Sequence, residues 1–253
     1  MNIKSLKLFG IYILVVILVA GCARTRSISD SGYASERGYY RTGHYSDAAF
    51  AYRGELSEFD VLAIDRNQPI SDADIERALQ QNGSPVLKRG SSLLVVQSGA
   101  VFPDAAMVTM LSSNFTVVPF SGVPGTTQPT DTGRGAYSRL LRLAAARAGS
   151  ETILCYWGIL ESGTQDLRTK TVSWVPLAGW MVPDERQQMR IRLKMALIDV
   201  RTGSWTVFSP PAFGDRTLST RLSRNSADQQ QVESLKKLAY AASTRELTDR
   251  YVR

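Results

Sequence analysis

The segment RIRLKMALIDVRTGSWTVF, which spans residues 190–208, decides the fold of this chain. Its first part alternates basic with apolar side chains, a pattern typical of a strand with one exposed and one buried face. The segment then becomes apolar, turns at residues 201–203 and resumes as a second strand-like run, which predicts a hairpin with glycine at its tight turn. Arg190, Arg192 and Lys194, the basic row, would lie together on the exposed face of the first strand.

Upstream of this hairpin, the apolar patterns predict alternating strands and helices. A near-continuous apolar run over residues 152–160 is typical of a central strand that is covered on both faces. Residues 137–148 predict an amphipathic helix with Leu140 and Leu141 on its apolar face. Further strands are predicted at residues 59–64, 92–97 and 115–120, and further helices at residues 72–81, 103–113 and 227–251. This order predicts an α/β domain over residues 56–253, with a mixed sheet and packed helices.

The amino-terminal residues carry a processing signal. Lys4 and Lys7 precede an apolar stretch, and small residues then lead into Cys22, which is the pattern of a bacterial secretion signal. Residues 19–22, VAGC, resemble the lipobox of bacterial lipoproteins, in which the cysteine receives a diacylglycerol and becomes the first residue of the mature chain. The resemblance implies that residues 1–21 are removed and that Cys22 carries a lipid anchor.

The alternative interpretation of the same stretch is a single transmembrane helix. Its apolar run is shorter than the roughly 20 residues that cross a hydrocarbon core of about 30 Å, which favours the lipoprotein. Several acyl chains on one residue attach a protein stably, since each buried methylene contributes roughly 0.8 kcal/mol. Ala23, rather than an aspartate, follows the cysteine. By resemblance, this implies the outer membrane, with the protein on its periplasmic face.

Residues 22–55 differ in composition from the rest of the chain. They are rich in Ser, Gly, Arg and Tyr and contain few aliphatic residues before Leu56. Such a composition cannot bury enough apolar area to fold alone, so we predict a flexible tether between the lipid and the folded domain. Its tyrosines would either contact a partner or pack on the surface of the domain.

The charge of the mature chain is modest. Without residues 1–21 it has 28 basic and 23 acidic residues, a net charge of +5. A spread basic excess suits a position near anionic peptidoglycan or lipid headgroups, but an ordinary solvated surface is the favoured explanation. It does not match the clustered Lys and Arg of nucleic-acid-binding proteins, so no nucleic acid is expected as a partner.

Catalytic and cofactor motifs are missing from the sequence. The single histidine, His44, lies in the predicted tether, where it could not be placed as a catalytic triad requires. Cys155 lies in the apolar run and is expected to be a buried, inert thiol. No metal-ligand spacing and no phosphate-binding glycine loop occur, so neither a metal nor a cofactor is predicted. A carboxylate-dependent cell-wall hydrolase is the alternative, since paired Asp and Glu cannot be found without a structure.

A family resemblance arises at residues 197–203, LIDVRTG, which join two predicted strands after an Ala-rich helix and an apolar strand. This arrangement resembles the fold shared by curli-secretion lipoproteins, the amino-terminal domain of the Tol-system propeller protein and lipoprotein activators of peptidoglycan synthases. The resemblance covers roughly residues 90–251. It implies a periplasmic module without catalytic residues that binds an envelope or peptidoglycan-associated partner, or assembles with copies of itself.

The insert between the two central strands, residues 163–188, departs from the simplest members of that superfamily. It contains WVPLAGWMVP, residues 174–183. If exposed, this segment would form a large apolar patch of the kind that marks contact with a partner or a membrane. If it folds back, it would cap the core. Trp174, Trp180 and Met181 are therefore candidate partner-binding residues, together with the basic row.

Overall fold

A computed structural model describes residues 24–31, 52–65, 69–80, 83–124, 136–166, 185–219 and 224–253. The strands are β1 Arg24–Ser27, β2 Ser92–Gln97, β3 Thr116–Phe120, β4 Thr152–Asp166, β5 Glu185–Asp199, β6 Trp205–Phe208 and β7 Phe213–Ser219. The helices are α1 Glu58–Val61, α2 Asp72–Gln80, α3 Ala105–Leu111, α4 Ala136–Arg147 and α5 Arg224–Tyr251, and a 3₁₀ helix spans Ile28–Asp30.

The strands form one mixed sheet in the order β3-β2-β4-β5-β6. β2 runs parallel to both β3 and β4, whereas the β4–β5 and β5–β6 pairs are antiparallel. β1 pairs with the second half of β4, and β7 pairs with the first half of β5. The predicted α/β class and mixed sheet are therefore confirmed. The prediction that the apolar run of β4 is central is also confirmed.

One face of the sheet, the closed face, is covered by α3 and α5. The first turns of α3 and most of α5 bury apolar side chains there, as an amphipathic helix on a sheet should. The buried residues of this layer include Leu93, Val95, Leu154, Tyr156, Leu193, Met195 and Leu197 from the strands, and Met107, Leu111, Leu235 and Tyr240 from the helices. Burial of this layer is the main apolar contribution to the stability of the fold.

The opposite face, the open face, carries a second and smaller core. Its buried residues include Leu94, Val96, Ile153, Cys155, Ala196 and Ile198 from the strands, with Val61 from α1 and Leu141 and Ala145 from α4. These helices cover the part of β5 that contains Ala196 and Ile198. In the other half of β5, the basic row is exposed on the same face. The predicted alternation of β5 is therefore confirmed, because each basic side chain is exposed while the intervening apolar ones are buried.

The turn between β5 and β6 has the predicted glycine. Gly203 has a φ of +76°, a conformation that a residue without a Cβ adopts at little cost. Asp199 closes the turn, since its Oδ1 accepts hydrogen bonds from the backbone N–H of Thr202 at 2.6 Å and from the Thr202 hydroxyl at 2.8 Å. The hairpin prediction is confirmed.

Two local predictions were wrong. Residues 59–64, predicted as a strand, begin in the short helix α1, where the Val61 N–H donates to the Ser57 carbonyl at 3.1 Å. Leu140, predicted on the buried face of α4, is 64% exposed, whereas Leu141 is 2% exposed. The buried stripe of α4 follows Ser138, Leu141 and Ala145, whose spacing of three and four residues defines one side of the helix.

The amino-terminal boundary of the domain also differs from the prediction, which placed residues 22–55 in a tether. β1 pairs with β4 from Arg24 opposite Ser162 to Ser27 opposite Ile159, so residues 24–31 belong to the folded domain. Ile28 is 2% exposed and fits there because Gly158 has no side chain. A Cβ at Gly158 would lie 2.5 Å from Ile28 Cδ1. One buried isoleucine and backbone pairing thus hold a segment whose composition looked too polar to fold.

Candidate functional site

The candidate site lies on the hairpin that β4 and β5 form, the arm. The two strands pair without interruption from Thr152 opposite Asp199 to Asp166 opposite Glu185. Fifteen residues in each strand give a length of about 50 Å at the usual rise of roughly 3.3 Å per residue. The end of the arm at Asp166 and Glu185 is its tip, and residues 167–184 lie between these two residues in the sequence. Trp174, Trp180 and Met181 fall in this segment, so these predicted partner-binding residues lie outside the described part of the chain.

The basic row is described in full and lies along the open face of the arm. Cross-strand pairing places Arg190 opposite Glu161, Arg192 opposite Ile159 and Lys194 opposite Trp157. Directly opposed residues of an antiparallel pair project from the same face of the sheet, so the row has both acidic and apolar neighbours.

Each member of the row contacts a carboxylate. The Arg190 Nε donates to Glu161 Oε2 at 2.6 Å, and Arg192 donates to the other oxygen of the same carboxylate. Lys194 Nζ donates to Glu58 Oε2 of α1 at 2.8 Å. The prediction that these cations lie on one face is confirmed. The structure adds two acidic partners, and we call the resulting set of paired side chains the charge ladder: Arg190, Arg192, Lys194, Glu161 and Glu58. The site therefore presents both signs to a partner.

The electrostatics of Glu161 follow from this pairing. Hydrogen bonds from Arg190 and then Arg192, opposed by partial burial, lower the pKa of the Glu161 carboxyl from its usual range. A carboxylate with a lowered pKa remains ionised and cannot serve as a proton donor near neutral pH, whereas a hydrolase needs one acid whose pKa is raised. This ladder is suited to electrostatic recognition.

Trp157 joins the ladder to the body of the domain. Its side chain is half-buried beside Lys194, and its Nε1–H donates to the Leu56 carbonyl at 2.8 Å. Glu161, Glu58 and Trp157 were missed by sequence reasoning. Trp157 and Glu161 do share the alternation of β4, but only the register with β5 shows which cations they face.

A second polar cluster, the buried network, lies under α5 on the closed face. Asp104 Oδ2 accepts from Lys236 Nζ at 2.7 Å and from the Tyr240 hydroxyl at 2.5 Å. The Tyr156 hydroxyl donates to Gln97 Oε1 at 2.5 Å, and the Asp104 N–H donates to the same oxygen at 2.7 Å. Burial raises the pKa of both tyrosines well above the usual range. The network ties α5 to the sheet and to the start of α3.

The remaining thiol is buried, as predicted. Cys155 has no exposed surface, and burial raises its pKa far above the usual range, so it is neutral and inert. Within the described ranges, no three His, Cys, Asp or Glu side chains gather as a metal site would require. In the same part of the chain, no helix is both long and apolar enough to cross a membrane.

A family model described as YafT bacterial lipoprotein matches residues 57–250. The chain therefore belongs to the YafT bacterial lipoprotein family, which makes it a lipid-anchored protein of the bacterial envelope. Among curated proteins, none matches the sequence.

Several solved structures show a distant likeness. A PelC dodecamer from Paraburkholderia phytofirmans is 15% identical, with a TM-score of 0.28, and the match covers 68% of this chain and 96% of that chain. A second PelC dodecamer from the same organism is 15% identical, with a TM-score of 0.25 and coverage of 64% and 94%. A putative neuraminyllactose-binding hemagglutinin homolog from Helicobacter pylori is 12% identical, with a TM-score of 0.27 and coverage of 66% and 86%.

Likenesses this weak carry no argument about the present chain. The resemblance to curli-secretion lipoproteins, the Tol-system domain and peptidoglycan-synthase activators stays a prediction.

Proposed function

We propose that this protein is a non-catalytic lipoprotein of the outer membrane, on its periplasmic face, that binds an envelope partner through the arm. The lipid would be carried by Cys22 after removal of residues 1–21. The folded domain would comprise residues 56–253 together with residues 24–31. The binding residues would be Trp174, Trp180 and Met181 at the tip and the basic row along the open face.

The observation that carries this proposal is the register of the arm. Pairing continues to Asp166 opposite Glu185, so the apolar segment at residues 174–183 is attached to the end of the arm. Aromatic and Met side chains are the kind of anchors that dominate binding energy at protein interfaces. Exposed cations and carboxylates next to such anchors steer association and select the partner.

The position of β1 supports a site close to the membrane. Arg24, the first residue of β1, lies two residues after Cys22 in the sequence. It pairs opposite Ser162, in the half of β4 that ends at Asp166. Two residues span at most about 7 Å. A lipid on Cys22 would therefore hold the part of the domain around Ser162 close to the membrane surface. The tip of the arm, at Asp166 and Glu185, would then point towards the membrane. The partner is then an envelope component within reach of that surface.

The anchor is tested by metabolic labelling with a fatty acid. The full chain should incorporate the label, and Cys22→Ser should lose it, because a hydroxyl cannot form the thioether that lipoprotein processing requires. Label retained in Cys22→Ser would contradict the lipid anchor.

The binding site is tested with Trp174→Ala and Trp180→Ala in envelope pull-downs of the full chain. Each variant should lose capture of its partner by ~30-fold, equivalent to ~2 kcal/mol, without a change in unfolding midpoint. Trp205→Ala is the matched control, because Trp205 is a 42% exposed tryptophan on β6, paired with Ile198 at the opposite end of the arm from Asp166. If the tip residues instead cap the core, each substitution should lower stability by ~3–5 kcal/mol with capture unchanged, and the binding proposal fails.

A further inference from the structure

Helix α2 is short and exposed along its whole length. All nine residues, Asp72–Gln80, are exposed. Its first turn is capped, since the Ser71 N–H and hydroxyl donate to Asp74 Oδ2 at 3.0 and 2.6 Å. Isolated helices shorter than about 12–15 residues are only marginally stable in water, and a single cap adds little to that stability. A helix of this length therefore gains most of its stability from a surface on which it packs.

The side chains of α2 define what that surface must offer. Ile75 and Leu79 are adjacent on one side of the helix and are 53% and 64% exposed. The acidic residues Asp72, Asp74 and Glu76 flank this apolar stripe. The only cation of the helix, Arg77, is paired with Asp74 at 3.0 Å. The helix thus needs an apolar surface surrounded by positive charge, which an anionic lipid surface does not provide.

Such a surface exists on the outer side of α4. Leu140 and Leu143 are one turn apart and are 64% and 47% exposed. The helix contains no acidic residue, and Arg139 and Arg147 are exposed on it, while Arg142 donates to the Val200 and Arg201 carbonyls. The exposed side of α4 is therefore apolar and basic, the complement of α2.

Next to Leu143, α4 borders an open groove of about 320 Å³. Arg139, Arg142, Leu143 and Ala146 line it from α4, and Val200 lines it from the end of β5. Arg142 fixes one wall, since its Nε donates to the Val200 carbonyl at 2.7 Å.

We propose that α2 of one copy of this protein packs on the exposed side of α4 of a second copy, with Ile75 and Leu79 against Leu140 and Leu143. The inference deepens the proposed function, because it names the second copy as a partner. The two surfaces differ, so the contact is head to tail and repeats from copy to copy, closing into a ring or extending as a chain. A nine-residue helix covers less than the ~1,200 Å² of a stable interface, so the contact is weak in dilute solution. Confinement of both copies to one membrane raises their effective concentration and stabilises it.

Disulfide crosslinking in the native membrane tests this contact with the full lipidated chain. Leu79→Cys is placed in one tagged copy and Leu143→Cys in a second copy with a different tag, and the cells are treated with a mild oxidant. A mixed dimer is expected on a non-reducing gel. Leu238→Cys replaces Leu143→Cys in the control, because Leu238 is a leucine with 56% exposure on α5, across the sheet from α4. The native Cys155 is buried and does not contribute.

Charge reversal sharpens the test. Glu76→Arg should lower the yield of mixed dimer about fivefold, the size expected for a change at exposed ion pairs, and Arg139→Glu in the other copy should restore it. Equal crosslinking to Leu143→Cys and Leu238→Cys, or no mixed dimer at all, would overturn the proposal. An internal crosslink in the doubly substituted chain without mixed dimers would also overturn it, by showing that α2 docks within its own copy. None of these variants alters Cys22 or the arm. Loss of the dimer with fatty-acid labelling and partner capture intact therefore rejects only this inference.

Discussion

Two carboxylates on opposite faces of the sheet make similar contacts in different surroundings. Asp104 on the closed face is held by Lys236 and Tyr240, and Glu161 on the open face is held by Arg190 and Arg192. The two acids are almost equally exposed, at 23% and 22%. Their cations differ, because the Lys236 side chain is 8% exposed and the two arginines are 54% and 52% exposed.

This difference separates a structural interaction from a surface available for binding. A buried cation that loses its partner keeps its desolvation cost, so the Asp104 pair locks α5 onto the sheet. Exposed arginines that lose their partner return to water at little cost, so the Glu161 ladder can exchange its contacts for those of another molecule. The Asp104 contacts on the closed face stabilise the fold, while the open face of the arm is where we propose that a partner binds.

The largest contrast is expected from removing each acid. Asp104→Ala should lower the free energy of unfolding by ~3–5 kcal/mol, because Lys236 would remain charged in a buried position. Glu161→Ala should cost ~1 kcal/mol or less. Denaturant unfolding of the two variants measures both values. Equal losses would show that the two faces do not differ as their exposure indicates.

The alternation of β5 gives the next contrast. Leu197→Ala and Leu193→Ala should each cost ~2–5 kcal/mol through lost burial and the cavity left behind, since the two leucines are 0% and 4% exposed. Arg192→Ala, next to Leu193 in sequence but on the open face, should be within about 0.5 kcal/mol of the native protein. Unfolding midpoints at constant m-value decide this, and a comparable loss in Arg192→Ala would contradict the assignment of faces.

Gly158 tests the attachment of β1. In Gly158→Ala the new methyl would meet Ile28 and Leu193 on the closed face, at 2.5 and 2.7 Å before any relaxation. Overpacking of this kind should cost ~1–3 kcal/mol. Ile28→Ala makes room for the methyl, so the double variant should lose less stability than the two single losses added together. Strict additivity would show that Ile28 does not pack against Gly158.

The smallest effect concerns the pH dependence of the open face. The pKa of Glu161 is lowered in the folded protein, chiefly by hydrogen bonds from Arg190, while the unfolded carboxyl titrates at about 4.3. Its contribution is therefore complete above that value and is lost as the pH falls through the lower folded pKa. Glu161→Gln should differ from the native protein by ~1 kcal/mol or less at pH 7, and the difference should vanish in acid. A difference that grows on acidification would contradict this linkage.

Strong periodicity made much of the fold predictable. The alternation of β5 identified its exposed and buried faces, and the continuous apolar run of β4 identified it as central. The first and last residues of α2 and α4 were predicted to within a few residues of their positions in the structure, because capping and apolar spacing are local signals. Leu140 was misplaced because alanines and leucines nearly surround α4, so its apolar pattern did not single out one side.

The short strands could not be predicted in the same way. β1, with the sequence RTRS, and β7, with the sequence FGDRTLS, have no apolar alternation. Both are held by backbone hydrogen bonds to the long strands of the arm, and such bonds are available to almost any sequence. A polar segment such as β1 or β7 can therefore pair with the exposed edge of a long strand.

The sequence by itself determined the α/β class, the two central strands, the exposed row of Arg190, Arg192 and Lys194 and the burial of Cys155, because each depends on side-chain pattern within one segment. Only the tertiary structure decided that Glu161 and Glu58 pair with that row, that β1 pairs with β4 and that α2 and α4 each expose apolar side chains. These features depend on register and on contacts between residues far apart in the chain. A shift of one residue in pairing would change every cross-strand neighbour, and no local pattern records it.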